Sequence, residues 1–95
     1  MKVSEIQVSD VANYLRLEDV EYSEVELANL LSVAKKFIKS YTGLTDEEID
    51  EHEDFYIVVM ILCQDMYDNR SMYVDKNNLN KVVETILGMH SVNLL

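Results

Sequence analysis

The clearest pattern along the chain is a stripe of apolar residues at helical spacing in its second quarter. Its members are Leu27, Leu30, Leu31, Ala34, Phe37, Ile38 and Tyr41. A capping box, Ser23-Glu24-Val25-Glu26, precedes the stripe, and Gly43 follows it as a residue that readily adopts the left-handed conformation of a helix end. The pattern predicts a helix from Ser23 to about Tyr41 or Thr42.

Shorter helices are predicted before and after this one. Ser9 or Asp10 can cap a first helix that ends near Leu17, with an apolar stripe of Val8, Val11, Ala12 and Leu15. The acidic segment from Glu18 to Tyr22 has the composition of a turn. A second capping box, Thr45-Asp46-Glu47-Glu48, opens a brief helix whose first turn is acidic, as the helix dipole favours.

The stretch from Phe55 to Tyr67 is apolar on every side as far as Cys63, so its periodicity does not separate helix from strand. Its length favours a helix from Asp54 to about Asn69, surrounded by the others. We therefore predict one all-α domain, residues 1–95, built as a small bundle of about five helices around this central apolar helix.

The C-terminal part should contain a loop, a helix and a tail. The loop spans Arg70 to Asn77, and Asn77 or Asn78 caps a last helix that reaches Gly88. The apolar stripe of that helix is Leu79, Val82, Val83, Ile86 and Leu87. Met89 to Leu95 lacks a helical period and is expected to form an extended tail, which either folds back on its own bundle or lies on a neighbouring subunit as an arm.

Charge and composition narrow the function. The 18 acidic and 8 basic side chains give a net charge of -10, which repels phosphate and argues against direct nucleic-acid binding. The basic cluster of Lys35, Lys36 and Lys39 is interpreted as a solvated face. No apolar run is long enough for a signal peptide or a membrane span, so we expect a protein of cytoplasmic origin with no membrane partner.

Candidate chemistry is sparse. Seven of the nine residues from Asp46 to Asp54 are acidic, but the stretch lacks the Gly and the ligand spacing of a calcium loop, which favours a solvated or partner-facing acidic patch over a metal site. His52 and His90 belong to different segments and do not form a zinc motif. Cys63 lies among apolar residues and is expected to be an inert thiol. We predict no catalytic, cofactor-binding or metal-binding residues and no enzymatic activity.

Several residues are candidates for an oligomer or partner interface instead. Tyrosine suits surfaces that become buried on assembly, and the loop carries Tyr73 between two further apolar residues. Arg70 can pair with Asp65 or Asp68, bind carbonyls at the helix end, or meet a carboxylate of the next subunit. We expect local pairing first and pairing between subunits second. The complete set of interface candidates is Arg70, Met72, Tyr73, Val74, Val92, Leu94 and Leu95.

The chain resembles the small head-tail connector proteins of tailed bacteriophages and prophages, a family also described as head-completion or DNA-packaging proteins. The resemblance is carried by MYDNRS from Met66, the following polar loop, and the Leu-Asn-x-Val-Val-Glu-x-Ile-Leu helix from Leu79. It extends to VSEIQVSDVANYLRLED from Val3 and to AKKFIKSYTGLTDEEID from Ala34. The chain differs from the family after the last helix, where Met89-His90-Ser91 replaces Gln-Leu-Arg.

The resemblance implies a structural subunit of the virion, made in the cytoplasm of the bacterial host. About a dozen copies would form a closed ring with head-to-tail interfaces. The ring would join the portal protein to the tail or head-closure proteins and let DNA pass, and an acidic lumen would repel phosphate rather than adsorb it. The alternative is an acidic regulatory or inhibitor protein that binds one protein partner, with its carboxylates imitating the charge of DNA.

Overall fold

The computed structural model describes residues 1–17, 21–71, 73–74 and 78–91, and it contains five α-helices and one 3₁₀ turn in these ranges. The elements are the 3₁₀ turn Val3–Glu5, α1 (Val8–Tyr14), α2 (Glu24–Thr42), α3 (Asp46–Asp50), α4 (Phe55–Asp68) and α5 (Lys81–His90). The described ranges include no strand. The predicted all-α fold with about five helices is confirmed.

Helix α4 lies at the centre of the bundle. It packs against α1, α2, α5 and the 3₁₀ turn, while α3 packs against the 3₁₀ turn. Its buried residues cover one broad side of the helix, and they are Phe55, Val58, Val59, Met60, Leu62, Cys63 and Met66. On the other side, Tyr56, Ile57 and Ile61 are only partly buried, and Gln64 and Asp65 are exposed. A helix with so wide an apolar surface is stable when its neighbours cover most of that surface. The helix interpretation of the Phe55 to Cys63 run is therefore confirmed.

The predicted capping box is confirmed in full for α3, whereas for α2 only the bond to the Ser23 side chain is confirmed. Ser23 Oγ accepts a hydrogen bond from the Glu26 backbone N–H at 3.1 Å. Thr45 and Glu48 form a reciprocal box, in which Thr45 Oγ1 accepts from Glu48 N at 3.2 Å and Glu48 Oε1 accepts from Thr45 N at 3.0 Å. Gly43 ends α2 with a φ of 74°.

The first helix starts earlier than predicted. Helix α1 begins at Val8 with Gln7 as its N-cap residue and ends at Tyr14, so neither Ser9 nor Asp10 is the cap. The Asp10 carboxylate instead lies in the first turn and accepts the Gln7 backbone N–H at 2.8 Å. The carboxylate therefore satisfies a free backbone donor at the helix start without being the N-cap residue.

The last helix starts later and ends later than predicted. Asn80 is its cap, with Oδ1 accepting from Val82 N at 2.8 Å, and the helix continues past Gly88 to His90. Met89, a residue of the predicted tail, is helical. Val82, a member of the predicted buried stripe, is 52% exposed, and the residues of α5 that are completely buried are Val83 and Leu87.

Two helices end on an arginine in the left-handed conformation. Arg16 has a φ of 60° after α1, and Arg70 has a φ of 54° after α4. In each case the next residue donates its backbone N–H to a carbonyl five residues back, from Leu17 to Ala12 at 2.9 Å and from Ser71 to Met66 at 3.0 Å. This is the hydrogen-bonding pattern of a Schellman motif, a position where glycine is usually found.

Candidate functional site

Three potential metal-ligating side chains meet where the start of α4 faces the end of α5. His52 lies in the turn after α3, Asp54 is the residue before α4, and His90 is the last residue of α5. One donor atom from each lies within 4.8 Å of the other two. The fold therefore joins two histidines that the sequence analysis treated as unrelated.

The contacts within this His-Asp-His cluster are short. Nε2 of His90 lies 2.9 Å from Oδ2 of Asp54. The imidazole rings of His52 and His90 stack with their centroids 4.0 Å apart and a tilt of 33°. All three side chains are half-buried, so the donor atoms remain within reach of solvent ions.

Phe55 supports both rings from the core side. It is fully buried, and its ring meets His52 edge-on at 5.4 Å and His90 edge-on at 5.2 Å. Backbone hydrogen bonds from Phe55 N to His52 O and from Tyr56 N to Glu53 O close the turn that carries His52 and Asp54. The cluster is thus built on the packed end of the central helix, which limits the positions its donors can take.

The surrounding acidic segment is partly engaged within the chain. Besides Asp54, three of its carboxylates have partners: Asp46 pairs with Lys39 at 3.4 Å, Glu48 caps α3, and Asp50 accepts the Ser4 backbone N–H at 3.0 Å. These hydrogen bonds lower the pKa of Glu48 and of Asp50. The acidic patch is therefore smaller than the sequence indicated.

The predicted interface residues fall into three groups. Four of them lie outside the described residues: Met72, Val92, Leu94 and Leu95. The predicted turn also has residues outside the described ranges, Glu18–Val20. Tyr73 is 66% exposed, whereas Val74 is partly buried against the core of its own chain. The structure therefore separates two neighbours that the sequence grouped together.

Arg70 does not make the local pair expected from the sequence. Its Nη1 atom lies 3.9 Å from Oε1 of Glu26 on α2, and its guanidinium lies 5.1 Å from the centre of the Tyr67 ring. Both contacts are exposed and long, so the guanidinium remains accessible to a partner.

Exposed apolar side chains were also missed in α5. Val82 and Met89, 52% and 66% exposed, lie seven residues apart and so on the same side of the helix. Thr85 and Gly88 are exposed beside them, and a Cβ added at Gly88 would have no neighbour within 4 Å. We call the strip formed by Val82, Thr85, Gly88 and Met89 the outer face of α5. The helical period of the sequence could have predicted this exposed face, because Val82 does not lie on the side of the helix that Val83 and Leu87 share.

Two further predictions concern the reactivity of Cys63 and the presence of membrane-spanning helices. Burial raises the pKa of the Cys63 thiol to about 12, as expected for an inert core cysteine. None of the described helices combines the length and the apolar character needed to cross a bilayer.

Comparisons with known proteins add no relative to this picture. A scan of protein-family models, a search of curated proteins and a search of solved structures each return no match to this chain.

Proposed function

We propose that this protein is a structural subunit of a phage or prophage head-tail connector, which assembles into a closed ring between the portal vertex and the tail. The resemblance to that family covers nearly the whole chain and motivates the proposal. The single structural observation that supports it is a group of exposed apolar side chains in the C-terminal part of the chain. Tyr73 and Val82 lie in the segments that carry the resemblance, and Met89 lies just after them. Apolar side chains on a very acidic surface are suited to burial against a neighbouring subunit.

The charge supports the same role. A net charge of -10 keeps free subunits apart and opposes adsorption of DNA to the ring. Four of the seven carboxylates between Asp46 and Asp54 have partners within the chain. Fewer carboxylates are therefore free to imitate the charge of DNA along an extended surface than the sequence suggested. We therefore prefer the connector over an acidic inhibitor.

The assembly test compares two apolar surfaces of the chain. The full chain is co-expressed with the portal protein encoded in the same genome, and complexes are examined by negative-stain microscopy and native mass spectrometry. The double variant Val82→Ser and Met89→Ser should abolish ring formation. The matched control is Val25→Ser, which removes a 71% exposed aliphatic side chain from α2 and should leave assembly intact.

Circular dichroism should show unchanged helicity in both variants, because all three positions are exposed. Wild-type protein that forms no ring with the portal, or that captures a DNA-binding protein in a one-to-one complex instead, would refute the connector role. A gene without portal, protease and capsid genes upstream would also argue against it.

A further inference from the structure

We propose that His52, Asp54 and His90 bind one divalent transition-metal ion, Zn²⁺ by preference, which links the end of α5 to the start of α4. This inference goes beyond the connector role and does not depend on it. It rests on the convergence of two imidazoles and one carboxylate from two segments that are distant in sequence.

The donor set selects the class of metal. Ca²⁺ and Mg²⁺ prefer sites made of oxygen ligands, whereas imidazole nitrogen suits Zn²⁺ and its first-row neighbours. Two histidines with one carboxylate make a common protein-ligand set for Zn²⁺ and leave a fourth position for water or for a ligand from another molecule. The cluster therefore fits a transition metal better than an alkaline-earth ion.

The spacing is compatible with a single ion. Ligands at about 2.0–2.1 Å from a tetrahedral Zn²⁺ lie about 3.3 Å from one another. The donors of the cluster lie within 4.8 Å of one another, and the closest pair, His90 Nε2 and Asp54 Oδ2, is 2.9 Å apart. Small side-chain rotations that open the stacked rings would place the three donors around one ion.

The scaffold and the charge around the cluster also favour a cation. Phe55 holds both rings from the buried side, so little freedom is lost when the ligands become fixed. Glu51 and Glu53 are exposed beside His52 and raise the local concentration of cations. When an ion is bound, His90 and Asp54 would both coordinate it and would no longer be hydrogen-bonded to each other.

The position of the site gives the ion a structural consequence. Helix α5 is held to the bundle by only two fully buried side chains, Val83 and Leu87. An ion held by His90 and by the two ligands before α4 would fix the C-terminal end of this helix. Metal binding would then stabilise the helix that carries the outer face of α5.

The test uses the full chain without a histidine tag, stripped of metal with EDTA and titrated with Zn²⁺ by calorimetry. We expect one ion per chain, an increase in Tm of at least about 10 °C at a hundredfold excess over Kd, and a tetrahedral visible spectrum with Co²⁺. His52→Ala and His90→Ala should each weaken binding at least about 100-fold, since loss of a ligand costs more than loss of its supporting contacts.

Two controls keep the result interpretable. Glu51→Ala and Glu53→Ala remove neighbouring exposed acids that do not ligate the ion, and each should leave the affinity within about threefold, because the attraction of an exposed charge is modest and is screened by salt. His90→Gln retains a hydrogen-bond donor for Asp54 but is a poor ligand, so it should fold like the wild type and lose binding. Zn²⁺ binding that survives both histidine changes, or no binding at millimolar Zn²⁺, would show that the cluster is only a structural contact.

Discussion

Asp54 and His90 are hydrogen-bonded across 36 residues of sequence, with Oδ2 and Nε2 2.9 Å apart. The contact connects the start of the central helix to the end of the last one. Among the described residues, this contact provides a polar side-chain link between α5 and the start of α4. Its contribution to stability can be isolated because Asp54 makes no side-chain capping bond to its own helix.

Asp54→Ala should lower the free energy of unfolding by about 1 kcal/mol in the presence of EDTA, since a partly exposed hydrogen bond contributes on that scale. Urea denaturation measures the change. Glu53→Ala is the control, because it removes an exposed acid from the same turn and should change stability by less than about 0.5 kcal/mol. Equal losses in the two variants would show that the contact with His90 contributes nothing specific.

Arg16→Gly should stabilise the protein. Arg16 is exposed and has a φ of 60°, a conformation that strains any residue with a Cβ. Glycine relieves that strain but gains freedom in the unfolded chain, so the net increase in unfolding free energy should be about 0.5–1 kcal/mol. Arg16→Ala keeps the Cβ and should not raise the Tm measured by thermal denaturation. If both substitutions raise the Tm, the effect comes from loss of the arginine side chain and not from relief of backbone strain.

Asp50→Ala should destabilise the protein at neutral pH but not in acid. The hydrogen bond from Ser4 lowers the pKa of Asp50 in the folded state below its unfolded value. A lowered carboxyl pKa stabilises the fold above the unfolded pKa, and this contribution disappears as the pH falls through the folded pKa. The difference in Tm between wild type and variant should therefore shrink as the pH falls below the unfolded carboxyl pKa and through the lower folded pKa. A difference independent of pH would point to packing rather than ionisation.

Asp65→Asn should act in the opposite direction. Burial, followed by repulsion from Asp68, raises the pKa of Asp65 in the folded state. A raised carboxyl pKa means that the charged form destabilises the fold at neutral pH, and that this cost is relieved as the pH falls through the folded pKa. Both acids also lie in the last turn of α4, where the helix dipole disfavours negative charge. The variant should melt higher at about pH 7, and Asp46→Asn, which instead removes an acid from a helix start, should not.

Cys63 should resist alkylation in the native protein. With a pKa of about 12 and complete burial, the thiol is almost entirely protonated and out of reach of iodoacetamide at about pH 8. Labelling followed by mass spectrometry should give no modification in the folded protein and complete modification in denaturant. Rapid labelling without denaturant would indicate frequent opening of the core around α4.

The local signals in the sequence predicted most of the helices but not all of their bounds. Ser23, Gly43 and the Thr45-Glu48 box act through neighbours within a few residues, so their effect is visible in the chain itself. The start of α5 was misplaced because several asparagines precede it and any of them could cap a helix. The structure assigns the cap to Asn80, whose side chain accepts the Val82 backbone N–H.

What the sequence determined by itself was the all-α class, the central apolar helix and the inert core cysteine, because these depend on periodicity and on apolar composition. Only the tertiary structure decided that His52, Asp54 and His90 meet and that the outer face of α5 stays exposed. The physical reason is distance along the chain. Side chains separated by 36 residues come together only when the helices that carry them pack, and no spacing rule for a single helix encodes that meeting.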